Sequence, residues 1–155
     1  MIQHRFAAHS LNLDIENTRK LLVVGENAIK MMTVGGGSSS LKVQHECTPL
    51  EGILRYVGDR AEVNFQRGYV GDVTGEYNGV KSGQDLSENR SAEQLIADAV
   101  AAAKQADAVI FFGGLNKKEG QDCEGVDRSE YTLPYGQNKV IEALAAVNKN
   151  LAVVN

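Results

Sequence analysis

The chain of 155 residues has no tryptophan, only two prolines and two cysteines, and no basic block. Its longest apolar runs, such as Ala108 to Phe112, fall far short of the ~20 residues that cross a bilayer, and the amino terminus carries no apolar signal-like stretch. No membrane span or targeting segment is therefore read. Cys47 and Cys123 stand 76 positions apart, without CxxC spacing, and His4, His9 and His45 show no ligand spacing either. A zinc site is thus not expected, and the cysteines read as free thiols. Lys and Arg number 16 against 20 Asp and Glu, for a net charge of −4, and no cluster of cations interleaves with aromatics. Nucleic acid is excluded as a partner on that ground.

What is there is an ordinary apolar fraction of 43% and 16 glycines, which suit one loop-rich globular domain with one core. Residues 1–19 read as a loose leader or linker from a preceding domain, and regular patterning starts at Lys20. Leu21 to Val24 is a short continuous apolar run stopped by Gly25, the pattern of a strand covered on both faces. Thr48, Pro49 and Glu51 supply an N-cap, a first-turn proline and a capping-box partner, so a helix is expected over 49–57, ended by Gly58. Ala61 to Gln66 alternates like an edge strand. The glycine-studded stretch from Gly68 to Gln84 is too long for an ordinary connection and is either functional or mobile.

Ser91 to Gln94 repeats the capping-box chemistry, and Ala92, Leu95, Ile96, Ala99, Val100 and Ala103 then form one helical stripe. Ala108 to Phe112 is a second doubly buried strand, Tyr135 to Val147 a helix, and Leu151 to Val154 a last strand. The order βαβαβαβ needs crossovers between parallel neighbours, which gives a three-layer α/β/α sandwich with a mostly parallel sheet. Asn155 follows the last strand with no helix after it, so the domain is expected to be truncated at the C-terminus and to self-associate through the cut edge.

Ligands of open parallel sheets sit beyond the carboxyl ends of the strands, which singles out the loops after Val24, Gln66 and Phe112. Gly35, Gly36 and Gly37 arrive ten residues too late for a dinucleotide fingerprint, and no GxxxxGK[ST] is present, so nucleotide binding is disfavoured. The third loop packs four carboxylates and three cations between Lys117 and Arg128. It is either a solvated loop whose charges offset one another or a device that delivers a carboxylic acid into a cleft.

The phrases Val24-Gly25-Glu26-Asn27-Ala28, Gly35-Gly36-Gly37-Ser38, Thr48-Pro49-Leu50-Glu51-Gly52, Ala106-Asp107-Ala108-Val109-Ile110, Glu124-Gly125-Val126-Asp127-Arg128 and Leu133-Pro134-Tyr135-Gly136-Gln137 resemble family 3 glycoside hydrolases in order and spacing. The resemblance covers residues 20–155 and implies part of that family's second, sandwich domain. In such enzymes a (β/α)8 barrel precedes the sandwich, supplies the nucleophilic aspartate and shares the sugar site. That barrel is missing from this chain.

The sandwich in members resembling this chain supplies the general acid/base glutamate on the loop after the strand matching Ala108 to Phe112. Glu124, ten residues before Pro134, fits that position best, and Glu119, in an earlier Glu-Gly pair, is second. Asp127 and Arg128 are expected to orient the loop through an ion pair. A glutamate retained here points to the glucosidase or xylosidase branch, with an oligosaccharide or β-glycoside substrate, retaining chemistry and no cofactor. The isolated chain is then expected to be inactive, and the parent enzyme to be periplasmic or secreted. Two rival classes stay open: a free-standing flavodoxin-like binding module, and a non-catalytic interaction domain. If the resemblance holds, the loop from Gly113 to Leu133 should leave the carboxyl end of the sheet exposed and loosely packed, with both glutamates in solvent.

Overall fold

The computed structural model of the chain describes residues 14, 16–32, 43–71, 76–77, 80–81, 84–116, 120–121 and 127–155. Four parallel strands, β1 (Lys20–Val24), β2 (Glu62–Gln66), β5 (Ala108–Phe112) and β6 (Leu151–Val154), form a sheet in the order β2-β1-β5-β6. They are joined by α1 (Pro49–Val57), α2 (Ala92–Ala103) and α3 (Gln137–Val147). The stretch between Gly68 and Gln84 contains a short antiparallel pair, β3 (Glu76–Tyr77) with β4 (Val80–Lys81).

The two central strands carry the apolar runs because both of their faces are covered. Leu22, Val24, Val109 and Phe111 pack with Ala99 and Ala103 of α2 and Val140 and Leu144 of α3. On the opposite face Leu21 and Ala108 meet Val57 of α1, with Ile53, Val63 and Ile110 around them. Burying each such leucine contributes about 2 kcal/mol, so helices on both faces hold the sheet as the middle of three layers. The chain leaves β1 for β2 under α1, then crosses to β5 under α2 on the other face. This is what right-handed crossovers require when the direction of travel reverses. The reversal puts a topological switch point between the carboxyl ends of β1 and β5.

The α1 capping box is complete: the Thr48 hydroxyl accepts from Glu51 N–H, and the Glu51 carboxylate accepts from Thr48 N–H. The expected box at Ser91 is only half built, since Ser91 Oγ accepts from Gln94 N–H but no return bond from the Gln94 side chain closes it. The helix expected from Tyr135 starts at Gln137, because Tyr135 (φ 60) and Gly136 (φ 70) are left-handed and cannot be helical. Part of the leader is also ordered: Asp14 caps a turn that receives Glu16 N–H on its carboxylate and the Thr18 hydroxyl on its carbonyl. His4, His9 and Gly35 to Gly37 lie outside the described residues, whereas Cys47 is an exposed free thiol. No helix among the described residues is long and apolar enough to cross a membrane.

Candidate functional site

At the switch point, the first residue after β1 is pressed against the last residue of β5. Gly25 holds φ 123, and a Cβ there would sit 1.9 Å from the Phe112 carbonyl oxygen, so only glycine lets the two backbones approach this closely. The turn Glu26–Ala28 that follows is buried, although it opens with two polar residues. Asn27 Nδ2 donates to the Gly113 carbonyl at 2.8 Å, and the Tyr69 hydroxyl donates to the Phe112 carbonyl at 3.1 Å while accepting from Asn27 N–H. Burial pushes the Tyr69 phenol well above its ordinary value, so it acts as a fixed hydrogen-bond donor and not as a titrating acid.

Glu26 is fully buried and gathers the loop after β2 around itself. Its Oε2 accepts from Arg67 Nη2 and from Gly71 N–H, each at 2.7 Å, and Oε1 lies 3.6 Å from Lys30 Nζ. Arg67 reaches on to the carbonyls of Leu86 and Ser87, tying in the segment that leads to α2. All the loops expected to matter therefore meet at the carboxyl rim of the sheet.

The loop after β5 is anchored by the amino end of α3. The Gln137 side chain, wholly buried, donates from Nε2 to Gly114 O at 2.9 Å and accepts from Gly114 N–H at 2.8 Å. Gln121 accepts from Asn116 N–H at 2.9 Å and donates to the Tyr135 hydroxyl at 2.8 Å. Ser129 closes onto the Gly120 carbonyl through both N–H and Oγ. A cleft of about 200 Å³ opens beside Gln121, lined by Leu115, Arg128, Ser129, Glu130 and Thr132.

The loop does emerge at the carboxyl end, and Asp127 to Tyr131 are exposed as expected. Its base departs from expectation: Asn116 is 2% exposed, its N–H held by Gln121 within the loop, and Gln137 of α3 holds Gly114 two residues earlier. Glu119 and Glu124 both lie outside the described residues, flanked by Asn116 and Gly120 and by Gln121 and Asp127 respectively. The ion pair expected between Asp127 and Arg128 is not formed, since Arg128 Nη2 turns to the Tyr131 and Thr132 carbonyls. It still braces the loop, by another route.

Glu26, Arg67, Tyr69, Asn116 and Gln137 escaped sequence reasoning as site residues. The available signal was a polar pair directly after a doubly buried strand, at Glu26 and Asn27. Among the described residues no three His, Cys, Asp or Glu side chains converge as a metal site requires.

The family model described as glycosyl hydrolase family 3 C-terminal domain matches residues 9–155. A β-glucosidase of Bacteroides ovatus is 44% identical over 136 residues, covering 88% of this chain and 17% of that protein. A periplasmic β-glucosidase of Salmonella typhimurium is 32% identical over 149 residues, covering 92% and 19%. The crystal structure of a Bifidobacterium adolescentis family 3 β-glucosidase superposes with a TM-score of 0.65 at 29% identity, covering 94% of this chain and 18% of that one. The chain thus spans under a fifth of the length of these relatives. Its sheet order, its buried switch point and the match over nearly its whole length agree, and the chain belongs to glycosyl hydrolase family 3, as that family's C-terminal domain.

Proposed function

We propose that this domain serves a retaining β-glucosidase-type hydrolase by carrying the general acid/base carboxyl, Glu124 in the first place and Glu119 in the second, into a sugar site completed by a (β/α)8 barrel. The observation that carries the reading is the anchored, charged loop leaving β5 at the switch point, held by Gln137 and Gln121. The β-glucosidase names of the relatives supply the substrate class, a β-glycoside. A doubly wound order alone would equally suit a flavodoxin-like module, and family membership separates the two.

In the proposed reaction a barrel aspartate attacks the anomeric carbon while the loop glutamate protonates the departing oxygen, leaving a covalent glycosyl intermediate. The same glutamate then takes a proton from water as it attacks. This geometry needs the two carboxyls ~5 to 5.5 Å apart. The barrel would desolvate the loop glutamate and raise its pKa, so that it is protonated near neutrality. Alone, the domain lacks the nucleophile and turns over nothing. Export of the parent enzyme to the periplasm is proposed from the Salmonella relative's name. Self-association through the outer edge of β6 is proposed from the exposure of Val153 and Val154.

The test is leaving-group dependence in the full-length enzyme. Glu124→Gln should slow hydrolysis of alkyl β-glucosides by ~100-fold or more, while dinitrophenyl β-glucoside, whose leaving group needs no proton, is slowed far less at the glycosylation step. Equal loss on both substrates would overturn the reading, and the split appearing only in Glu119→Gln would move the role to Glu119.

A further inference from the structure

The segment Tyr135–Gln137 that leads into α3 touches the loop after β5 at two separated points, through two side chains that the proposed reaction does not itself use. Gln137 forms an amide-to-peptide pair with Gly114, using both of its polar atoms on the N–H and C=O of one residue. The side chain is wholly buried, so the exit direction of the loop is set inside the core and not at the surface. Gly113 and Gly114 are needed for that approach: a Cβ on Gly113 would lie 2.4 Å from Gln137 Oε1, and Gly114 holds φ 101.

Tyr135 makes the second contact. Gln121 bridges Asn116 N–H and the Tyr135 hydroxyl, which closes the span 116–121 on itself, with Glu119 inside that span. The adjoining closure, Ser129 onto the Gly120 carbonyl, brackets the span that contains Glu124. In the sequence Glu119 and Glu124 fall between residues joined by these contacts, and the Gln121 side chain is held by Tyr135.

Tyr135 adopts φ 60, the one positive φ at a non-glycine among the described residues, at a point where the helix has not begun. Its ring stacks on Tyr69 with centroids 6.5 Å apart and planes 3° apart, and Tyr69 in turn donates to the carbonyl that ends β5. An unfavourable backbone at this place is held by the stack on one side and by the Gln121 bond on the other.

We propose that Gln137 and Tyr135 are positioning residues for the acid/base loop. This rests on the function proposed above: the entry into α3, from Tyr135 to Gln137, is the fixed element that sets where the carboxyl meets the glycosidic oxygen. Holding a proton donor to within a fraction of an ångström governs the rate of proton transfer more than the binding of the sugar. The signature should thus be a fall in kcat/KM, which reports the glycosylation step, confined to substrates whose leaving group needs protonation.

The experiment compares Tyr135→Phe, Gln137→Met, Glu124→Gln and Glu119→Gln in the full-length enzyme, on an alkyl β-glucoside and on dinitrophenyl β-glucoside. Tyr135→Phe keeps the ring stack and removes only the hydroxyl. For Tyr135→Phe the expected result is about a tenfold loss or more in kcat/KM on the alkyl substrate, under twofold in kcat/KM on the activated one, an unchanged melting temperature and a displaced basic limb in the pH profile. Hydrogen exchange of peptides over 113–121 should quicken in both Tyr135→Phe and Gln137→Met while 108–112 stays protected. If a carboxyl variant shows the leaving-group split and Tyr135→Phe does not, the positioning role is overturned while the acid/base reading stands. If neither carboxyl variant shows it, the acid/base reading itself falls. Equal loss on both substrates with a lowered melting temperature would make the two residues structural only, and unchanged exchange over 113–121 would overturn the anchoring.

Discussion

Arg67 and Glu26 are 41 positions apart in the chain and 2.7 Å apart in the fold, with side chains 7% and 0% exposed. Removing two charges from water costs several kcal/mol per ion, so such a pair adds little net stability over an apolar replacement. What it does is fix a meeting place. The loops after β1 and β2 converge only where one carboxylate can satisfy Arg67, Gly71 N–H and Lys30 together. The floor beneath the β5 loop is thereby rigid.

Breaking that pair from one side should be far costlier than the pair is worth. Arg67→Met leaves the Glu26 carboxylate buried with Lys30, 3.6 Å from its other oxygen, as the remaining cation among the described residues, and is expected to lower unfolding free energy by about 3 kcal/mol. Urea denaturation followed by circular dichroism would measure it. A loss under 1 kcal/mol would mean water reaches Glu26 in solution.

A second expectation concerns acid. Asp107 accepts from the backbone N–H groups of Lys20 and Arg19, each at 2.8 Å, and these bonds hold its pKa below the ordinary 3.8. A depressed carboxyl contributes stability that is present above its unfolded pKa and lost as pH falls through the folded one. The melting-temperature gap between the natural chain and Asp107→Asn should therefore be widest near pH 7 and shrink below pH ~4. A gap that stays constant from pH 7 to pH 3 would remove Asp107 from the account.

The fold was largely legible because its signals are local. Leu21 to Val24 and Ala108 to Phe112 are continuous apolar runs because both faces of a central parallel strand are covered, and Thr48 with Glu51 wrote the start of α1 into four residues. The site was legible only as a loop. Gln137 reads in sequence as the polar first residue of an amphipathic helix, and nothing at its own position reveals that it grips Gly114, 23 residues away. Arg67 likewise follows an edge strand and looks like a surface cation. The Asp127–Arg128 pairing failed for a related reason: adjacent side chains diverge, and unpaired carbonyls at Tyr131 and Thr132 lay within reach of the guanidinium.

Two glycines should respond in opposite senses to the same substitution. Gly25→Ala would set a methyl 1.9 Å from the Phe112 carbonyl at φ 123, forcing β1 from β5 and costing about 3 kcal/mol. Gly52 lies inside α1 with nothing within 4 Å of an added Cβ, so Gly52→Ala should stabilise by about 0.8 kcal/mol through helix propensity. Thermal and urea unfolding of both variants provides the check. A tolerated Gly25→Ala would contradict the close approach at the switch point.

The two edges of the sheet differ in how they meet water, and this sets the last expectation. β2 presents exposed Glu62 and Asn64, which bond to each other, and such polar side chains blunt an edge against pairing with another chain. β6 presents Val153 and Val154, 42% and 45% exposed, beside backbone that no fifth strand among the described residues pairs. An apolar edge of this kind recruits a second copy when concentration allows. Light scattering of the isolated domain should show an apparent mass that rises with concentration, and Val153→Lys should suppress the rise while leaving the circular dichroism spectrum unchanged. A mass that stays monomeric at millimolar concentration, or a rise untouched by Val153→Lys, would show that β6 is not the contact.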